Sequence, residues 1–315
     1  MYHLVCAQVY DFPASRAKGG AACLTSTESC LSAPILVNYF MTLLLYALLL
    51  LPTFAATFTA PDQATLAAPE SAALSSADTS TLMDPDVATL TASGDQFFVR
   101  IEYPAAIEAY EGALLQSPGN AGVLWRFARV YVCMGEVLEE PADRVPLFKR
   151  AEAYARRSIG LDSLAAEGHT WLAGALGYLA LDADIRDQVR LSRELLDETT
   201  QALRINPRDD GALSIRGSFY RALGNVGWLK RQLAGVFLGE IPDGGFPEAE
   251  VALLQAVALA PEIMRHHYEL GVLYLDWERP EDARRALKQA AALQIRTAID
   301  RPRKEKARRL LSELE

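Results

Sequence analysis

The chain has 315 residues, of which 50% are hydrophobic and 23% are charged. This balance is typical of a globular protein and excludes a mainly disordered chain. Acidic residues number 40 against 31 Lys and Arg, a formal charge of −9 that argues against general nucleic-acid binding, which needs a basic surface. Four Cys are too few for a disulfide scaffold, and four His leave little for a metal centre.

An uncharged apolar segment lies near the N-terminus. Leu43–Leu51 is almost entirely leucine, Pro52 follows it, and the small residues Ala55 and Ala56 come next. An apolar run, a helix breaker and a small-residue site in this order are typical of a secretory signal peptide. We therefore expect residues 41–60 to form a signal peptide or a membrane anchor.

The start of translation decides between these alternatives. A start at Met41 gives the best-formed signal peptide, and residues 1–40 are then a non-native extension. A start at Met1 leaves 1–40 as a cytoplasmic extension before a signal anchor near 35–56, since a bilayer span needs about 20 apolar residues. A buried core helix is the third interpretation. The first two predict an exported protein, periplasmic or secreted, or a membrane-anchored one with its remaining chain outside the cytoplasm.

Residues 61–95 are rich in Ala, Ser, Thr and Pro and hold six acidic residues and no basic one. Such a composition buries little apolar surface and stays solvated. We therefore expect a flexible acidic linker at 61–95 and a helical domain at 96–315.

A spacing of small and apolar residues recurs along this helical domain. The pattern Ala-x3-Tyr/Leu-x2-Ala begins at Ala106, Ala249 and Ala283. In the first two cases it ends in a proline and is followed by a second pattern, Leu124-x2-Phe127-Ala128-x2-Tyr131 or His267-x2-Leu270-Gly271-x2-Tyr274. Weaker copies surround Pro207 and Ser163.

These patterns resemble the tetratricopeptide repeat, a helix-turn-helix of 34 residues. The resemblance implies an all-α, right-handed helical-repeat solenoid with a C-terminal capping helix. The second helices of the repeats end near Pro118, Ser163, Pro207, Pro261 and Ile295, at intervals of 45, 44, 54 and 34 residues. The repeats are therefore lengthened, and we expect the excess in the first helices or in the loops that follow them. The largest insert, residues 223–245, carries an apolar stripe and predicts an extra amphipathic helical segment.

A further set of residues narrows the resemblance. These residues are Leu124–Arg129, Gly217, Tyr220, Trp228, Leu229, Leu233, Phe237, Gly239, Tyr268–Gly271 and Arg308–Leu311. They resemble one family, the regulators of microtubule dynamics, over about residues 97–314. This resemblance implies a divergent tetratricopeptide domain behind a short N-terminal membrane segment or targeting tract.

No pattern typical of catalysis is present. The sequence contains no GxSxG, HExxH, CxxC or GxxxxGK[ST] motif, so we expect no enzyme, no cofactor and no metal site. His169 and His267 occupy positions where other repeats have core residues, which favours packed, hydrogen-bonded side chains over ligands. Cys133 is expected to be a small core residue.

The candidate binding site is the concave face, which the first helix of each repeat lines in such solenoids. Arginines there offer paired donors to carboxylate or phosphate, and aromatic rings supply rigid contact area. The competing interpretation is that these arginines pair with neighbouring acidic residues. The residues expected on this face are Trp125, Arg129, Thr170, Tyr178, Ser214, Ser218, Arg221, Arg265 and Tyr268.

These observations predict a non-enzymatic scaffold that holds a partner protein segment in its concave groove. The alternative is a pocket for a lipid or another small anionic amphiphile, with Arg129 or Arg221 on its head group. We expect a protein or peptide partner, no nucleic acid, and membrane contact only through the N-terminal segment. The basic run at 296–309 is expected to be the capping helix, or else a patch for a membrane surface or an acidic partner.

Overall fold

A computed structural model describes residues 86–226 and 243–315. These residues form eleven α-helices and no strand. In chain order the helices are α1 (Val87–Val99), α2 (Tyr103–Gln116), α3 (Ala121–Gly135), α4 (Pro141–Leu161), α5 (Ala166–Leu181), α6 (Ile185–Ile205), α7 (Asp210–Asn225), α8 (Phe246–Leu259), α9 (Met264–Asp276), α10 (Pro280–Ala292) and α11 (Asp300–Glu313).

Consecutive helices pair into five antiparallel hairpins, α1–α2 to α9–α10, and α11 packs against α9 and α10. The first helices of hairpins two to five stack on one another in sequence order, α3 on α5, α5 on α7 and α7 on α9. This arrangement is a helical-repeat solenoid with a C-terminal capping helix, and it confirms the predicted fold class.

Two kinds of sequence signal mark where the helices begin. Asp86, Asn120, Asp184 and Asp209 precede α1, α3, α6 and α7, and each side chain accepts a hydrogen bond from a backbone N–H of the first turn. Four of the five second helices, α2, α4, α8 and α10, carry a proline in the first two positions, where its missing N–H costs nothing.

Small residues allow the two helices of a hairpin to approach closely, as the repeat spacing predicts. A Cβ atom at Gly271 of α9 would lie 2.7 Å from the side chain of Leu287 on α10. Gly217 of α7 faces Leu253 of α8 in the same way. Any larger side chain at these positions would push the hairpin apart.

The structure corrects two predictions about the chain's organisation. Residues 87–95, expected in the linker, belong to α1, which packs on α2 and completes a first repeat. In hairpins two and three the excess length lies in the second helices, since α4 and α6 have 21 residues each, against 14 in α2. In hairpin four it lies between α7, which ends at Asn225, and α8, which begins at Phe246 and has only 14 residues, as the sequence predicts. The first helices α3 and α5 have only 15 and 16 residues.

Several expectations concern residues outside the described ranges. The signal peptide or anchor at 41–60, the extension at 1–40, the linker up to residue 85 and the insert at 227–242 are among them. Among the helices that the structure does describe, none has the length and apolar character needed to cross a membrane.

Candidate functional site

The first group of predicted site residues surrounds one carboxylate, and we name Asp95, Tyr110, Arg126 and Arg129 the Asp95 cluster. Asp95 Oδ1 accepts hydrogen bonds from Tyr110 Oη and Arg129 Nη2, each at 2.7 Å, and its Oδ2 accepts one from Arg126 Nε at 2.9 Å. Trp125 lies beside the cluster, with its ring centre 4.3 Å from the Arg126 guanidinium. Arg129 therefore pairs with an acidic residue of α1.

The Asp95 carboxylate is held in its ionised form. Burial opposes its ionisation, but the hydrogen bonds from Tyr110 and Arg129 and the charges of Arg126 and Arg129 outweigh burial. The pKa of Asp95 consequently lies below its usual value.

A second carboxylate gathers residues from distant hairpins, and we name Glu136, Tyr178, Arg265 and Arg303 the Glu136 cluster. Tyr178 donates a hydrogen bond to Glu136 Oε1. The same oxygen lies 3.4 Å from Arg265 Nη1 and 3.7 Å from Arg303 Nη2. Only 3% of the Glu136 side chain is exposed, and Phe148 stacks on Tyr178 with 4.6 Å between ring centres.

A third group lies next to the Glu136 cluster on α7 and α9. Ser218 donates a 3.0 Å hydrogen bond to Glu269 Oε2, and Arg221 Nη2 lies 3.8 Å from the same oxygen. Arg221 Nη1 and the Asn225 amide both donate to Asp276 Oδ2, at 2.9 and 2.7 Å. Arg221 is thus a buried, ion-paired residue.

The remaining predicted residues are buried on the same first helices. Thr170 donates a 2.6 Å hydrogen bond to Asp209 Oδ2, and burial raises the pKa of Asp209. The hydroxyls of Ser214 and Tyr268 are buried, and neither has a hydrogen-bond partner among the residues that the structure describes.

The C-terminal segment, which we define as residues 293–315, reaches across the inside of the solenoid. The backbone N–H of Ala298 donates a 3.1 Å hydrogen bond to Tyr103 Oη of the first hairpin. Arg303 of α11 contacts Tyr178 of the third hairpin, at 3.4 Å. Because these contacts join repeats that are not neighbours, they form across the concave face.

A cavity of about 270 Å³ remains beneath this segment, and we name it the inner cavity. Its apolar walls include Phe148 and Leu181 from the solenoid and Ile299 and Pro302 from the C-terminal segment. Both tyrosines of the predicted site, Tyr178 and Tyr268, line it. Its charged lining consists of Glu136, Glu139, Glu269, Arg144, Arg303, Lys306 and Arg309.

Most of the cavity's carboxylates already have partners. Glu136 and Glu269 are engaged by the arginines described above, and Arg144 forms a paired salt bridge with Asp182 at 2.6 and 2.8 Å. Arg309 is exposed on the rim and makes no ion pair with any described residue. The mouth of the cavity therefore carries exposed side chains of both charges, Arg309 and Glu139.

Comparison with known proteins gives the family. The model of the family described as Regulator of microtubule dynamics protein 1-3 matches residues 90–315. The chain belongs to the regulator of microtubule dynamics family. Its helical domain thus accounts for the whole match, and the resemblance stated from the sequence is confirmed.

The relatives are distant in sequence. Human regulator of microtubule dynamics protein 2 is 21% identical over 192 residues, which are 61% of this chain and 47% of the human protein. Regulator of microtubule dynamics protein 1 of Caenorhabditis elegans is 21% identical over 66% of this chain and 92% of the worm protein. The chain thus spans about half the length of its human relative.

A solved structure shares the fold of this family member. A thermophilic tetratricopeptide repeat protein of Thermus thermophilus superposes with a TM-score of 0.53 at 22% identity. The match covers 70% of this chain and 98% of the Thermus protein. The tetratricopeptide-like fold is thereby confirmed.

The structure brings together only part of the predicted site. Arg221 and Arg265 lie around the neighbouring carboxylates Glu269 and Glu136, whereas Arg129 belongs to the separate Asp95 cluster. All three arginines have acidic partners, which was the competing interpretation of these residues. A binding role for the nine predicted residues stays a prediction.

Sequence reasoning missed Glu136, Arg303, Lys306 and Arg309 as site residues. The basic run at 296–309 was the available signal, and α11 does cap the last hairpin as expected. Its second role, on the concave face, depends on contacts with residues more than a hundred positions away. Local sequence patterns do not predict such long-range contacts.

Within the described ranges, the three histidines have structural partners and Cys133 is buried. His169 contacts Glu198, and His267 Nε2 lies 2.8 Å from the carbonyl oxygen of Pro261. His266, the more buried of the adjacent pair, contacts Asp210 at 2.8 Å. Across the described ranges, no three His, Cys, Asp or Glu side chains are grouped to hold a metal ion. Burial raises the pKa of the Cys133 thiol, which fits a core role.

Proposed function

We propose that this protein is a non-enzymatic scaffold that binds an extended segment of a partner protein on its concave face. The observation that carries the proposal is the inner cavity, which α3, α4, α5, α9 and α11 enclose together. The names of the relatives, regulators rather than enzymes, support a role in interaction.

The cavity supplies both parts of a recognition site. The stacked rings of Phe148 and Tyr178 form a rigid wall, which binds without a large loss of side-chain entropy. Val137 and Arg309 are exposed at the rim, so an approaching chain can reach the interior. A segment would insert one or two side chains here while its backbone lies along the groove.

The ion pairs of two arginines favour a peptide over an amphiphile. Arg129 and Arg221, which the amphiphile interpretation placed on the head group, are paired with Asp95 and Asp276. We therefore keep the amphiphile as an outcome of the test below.

Site-specific photo-crosslinking in the native host tests the proposal. A benzophenone amino acid replaces Val137 at the cavity rim, or Ile185 at the start of α6 as a control. The two side chains are 41% and 43% exposed, so their reactivity should match. We expect a discrete protein adduct at position 137 and none at 185. Equal adducts at both positions, or adducts with lipid alone at 137, would refute the proposal.

We also propose, from the apolar segment at 41–60, that the helical domain lies outside the cytoplasm. N-terminal sequencing of protein from the native host should find a start near residues 56–61, or an intact anchor in the membrane fraction. A cytoplasmic protein that retains Leu43–Leu51 would contradict this location.

A further inference from the structure

The C-terminal segment contacts the two ends of the solenoid in different ways. At the last hairpin the contact is apolar, since Ala307 of α11 is fully buried in one cluster with Met264 of α9 and Leu287 of α10. Leu310 and Leu311 of α11 pack against the same cluster. Helix α11 is therefore part of the core of the last hairpin.

Against the first three hairpins the segment makes polar contacts, and we name the residues of these contacts the seam: Tyr103, Glu136, Tyr178, Ala298 and Arg303. The N–H of Ala298 donates to Tyr103 Oη at 3.1 Å, and the Ala298 side chain packs against the core that contains Tyr103. The Arg303 guanidinium lies 3.4 Å from Tyr178 Oη and 3.7 Å from Glu136 Oε1. Charge-assisted hydrogen bonds usually measure about 2.7–2.9 Å, so the contacts of Arg303 across the seam are long.

Charge attracts the two sides of the seam to each other. Burial opposes the charge of Arg303, but the charge of Glu136 and other neighbours outweigh burial and raise the pKa of Arg303 above its usual value. The attraction between opposite charges declines only with the inverse of their distance. It therefore persists when the two sides move apart by a few ångströms.

The inner cavity lies between the two sides of the seam. Its walls include Phe148 and Leu181 from the solenoid and Ile299 and Pro302 from the C-terminal segment. Dispersion contacts are lost within about 1 Å of separation, so apolar surfaces on opposite sides of a cavity contribute little of them to closure. The seam is thus closed mainly by polar and charged contacts, which allows it to open without repacking a core.

We propose that the C-terminal segment is a reversible closure of the concave face. In the open state residues 293–299 leave Tyr103, and Arg303 leaves Glu136, while α11 stays packed on α10. Opening exposes the inner cavity to a polypeptide segment, and closure restores the seam. The inference goes beyond the proposed function and does not depend on it, because the opening is measured without any partner.

Cys133 of α3 reports the opening, because it lies behind the seam. Its side chain is buried in the core cluster that also contains Tyr103. Burial raises the pKa of its thiol most, and the charges of Glu136 and of Asp300 in the C-terminal segment raise it further. A thiol reagent therefore reaches Cys133 only after the seam has opened or the whole domain has unfolded.

Thiol labelling of the full chain measures the opening. Serine replaces Cys6, Cys23 and Cys30, so that Cys133 is the one remaining thiol. N-ethylmaleimide and the bulkier fluorescein-5-maleimide share a reactive group, and each labelling rate is divided by the rate for the urea-unfolded chain. We expect the same ratio for both reagents, because the opening admits a polypeptide. Labelling by the smaller reagent alone would overturn the inference.

The urea dependence of labelling separates local opening from unfolding. At low urea concentrations we expect a nearly constant labelling rate, because opening of the seam exposes little surface. A rate that rises with the full urea dependence of global unfolding would overturn the inference.

Tyr103→Phe tests the seam, and Tyr110→Phe is its matched control. Both tyrosines are buried in α2, and each variant loses one hydroxyl, which accepts from Ala298 in the first case and donates to Asp95 in the second. We expect about a fivefold faster labelling of Cys133 in Tyr103→Phe, because the Ala298 N–H loses its acceptor in the closed state and meets water in the open one. The control should change the rate less than twofold. Equal acceleration in both variants would mean that unfolding of the first hairpins exposes Cys133, and would overturn the inference.

Hydrogen exchange at one amide gives an independent measurement on the wild-type protein. The Ala298 N–H crosses the seam to Tyr103, so it exchanges when the seam opens. Its protection relative to the unfolded chain should therefore agree with the protection of Cys133 from labelling to within about threefold. Exchange more than tenfold faster than this would show that residues 293–299 detach while the seam stays closed, and would overturn the inference.

Discussion

The Asp95 and Glu136 clusters contain the same chemical groups but hold different parts of the molecule. Each has one carboxylate, one tyrosine hydroxyl and two arginines. The Asp95 cluster joins residues of the first two hairpins. The Glu136 cluster joins the second, third and fifth hairpins to α11. The first therefore fixes local helix pairing, whereas the second closes the solenoid across its concave face.

The two clusters also differ in the solvent exposure of their charged side chains. In the Asp95 cluster 34% of the Asp95 side chain and 17% of the Arg129 side chain are exposed. In the Glu136 cluster the values are 3% for Glu136 and 9% for Arg303. Water screens the first set of charges and not the second, so removing a partner from the second should cost far more.

Glu136→Gln tests this difference and should have the largest effect. The change removes the carboxylate with which buried Arg265 and Arg303 both form ion pairs, and breaking a buried pair in this way costs about 3–5 kcal/mol. We expect the free energy of unfolding, measured by urea titration of the full chain, to fall by that amount.

The control is Glu139→Gln, three residues away and exposed at the cavity rim. It should change the free energy of unfolding by less than about 0.5 kcal/mol. If Glu136→Gln is equally mild, the solenoid does not depend on the Glu136 cluster for its closure.

Gly271→Trp tests the same closure of the solenoid by disturbing helix packing instead of removing a charge. Gly271 holds α9, which carries Arg265, against Leu287 of α10, and overpacking a tight core costs about 1–3 kcal/mol. The melting temperature should fall clearly. Gly160→Trp is the matched control, since a Cβ there has no atom within 4 Å. An unchanged melting temperature for Gly271→Trp would mean that Gly271 does not lie at the position of close helix approach in its repeat.

The fold was predictable because each hairpin is encoded locally. Ala113, Gly217 and Gly271 recur at positions where helices touch, and this spacing is visible without a structure. Helix α1 was missed, although Leu90, Gly94 and Phe97 repeat the spacing of Leu124, Ala128 and Tyr131. Its Ala- and Ser-rich, acidic surroundings favoured a linker, and packing against Tyr110 decided otherwise.

The candidate site was less predictable because it is built from long-range contacts. Arg265 lies 129 positions from its partner Glu136, and the lengthened helices α4 and α6 change the geometry between them. Repeat spacing identifies the residues of the inner helices but not the path of the C-terminal segment. The partners of Arg221 and Arg265 therefore became visible only in three dimensions.

Asp95→Asn should have a smaller effect and a distinct pH dependence. Partial exposure limits the loss to about 1 kcal/mol. Because the folded pKa of Asp95 is lowered, its contribution is complete above the unfolded pKa and is lost as the pH falls through the folded pKa. The stability difference between wild type and Asp95→Asn should therefore shrink on acidification below about pH 4. A difference that is constant down to about pH 2 would contradict the ion-paired state of Asp95.

Combining the two carboxylate variants gives the smallest expected effect. Arg129 of the Asp95 cluster and Glu136 lie seven residues apart, about 10 Å along the axis of a helix, and share no hydrogen-bond partner within the described ranges. The unfolding free energies of Asp95→Asn and Glu136→Gln should then add to within about 0.5 kcal/mol in the double variant. Urea titrations of the wild type, both single variants and the double variant measure this coupling. A coupling above about 1 kcal/mol would show that α3 transmits strain between the clusters, so that local pairing and closure of the groove form one cooperative network.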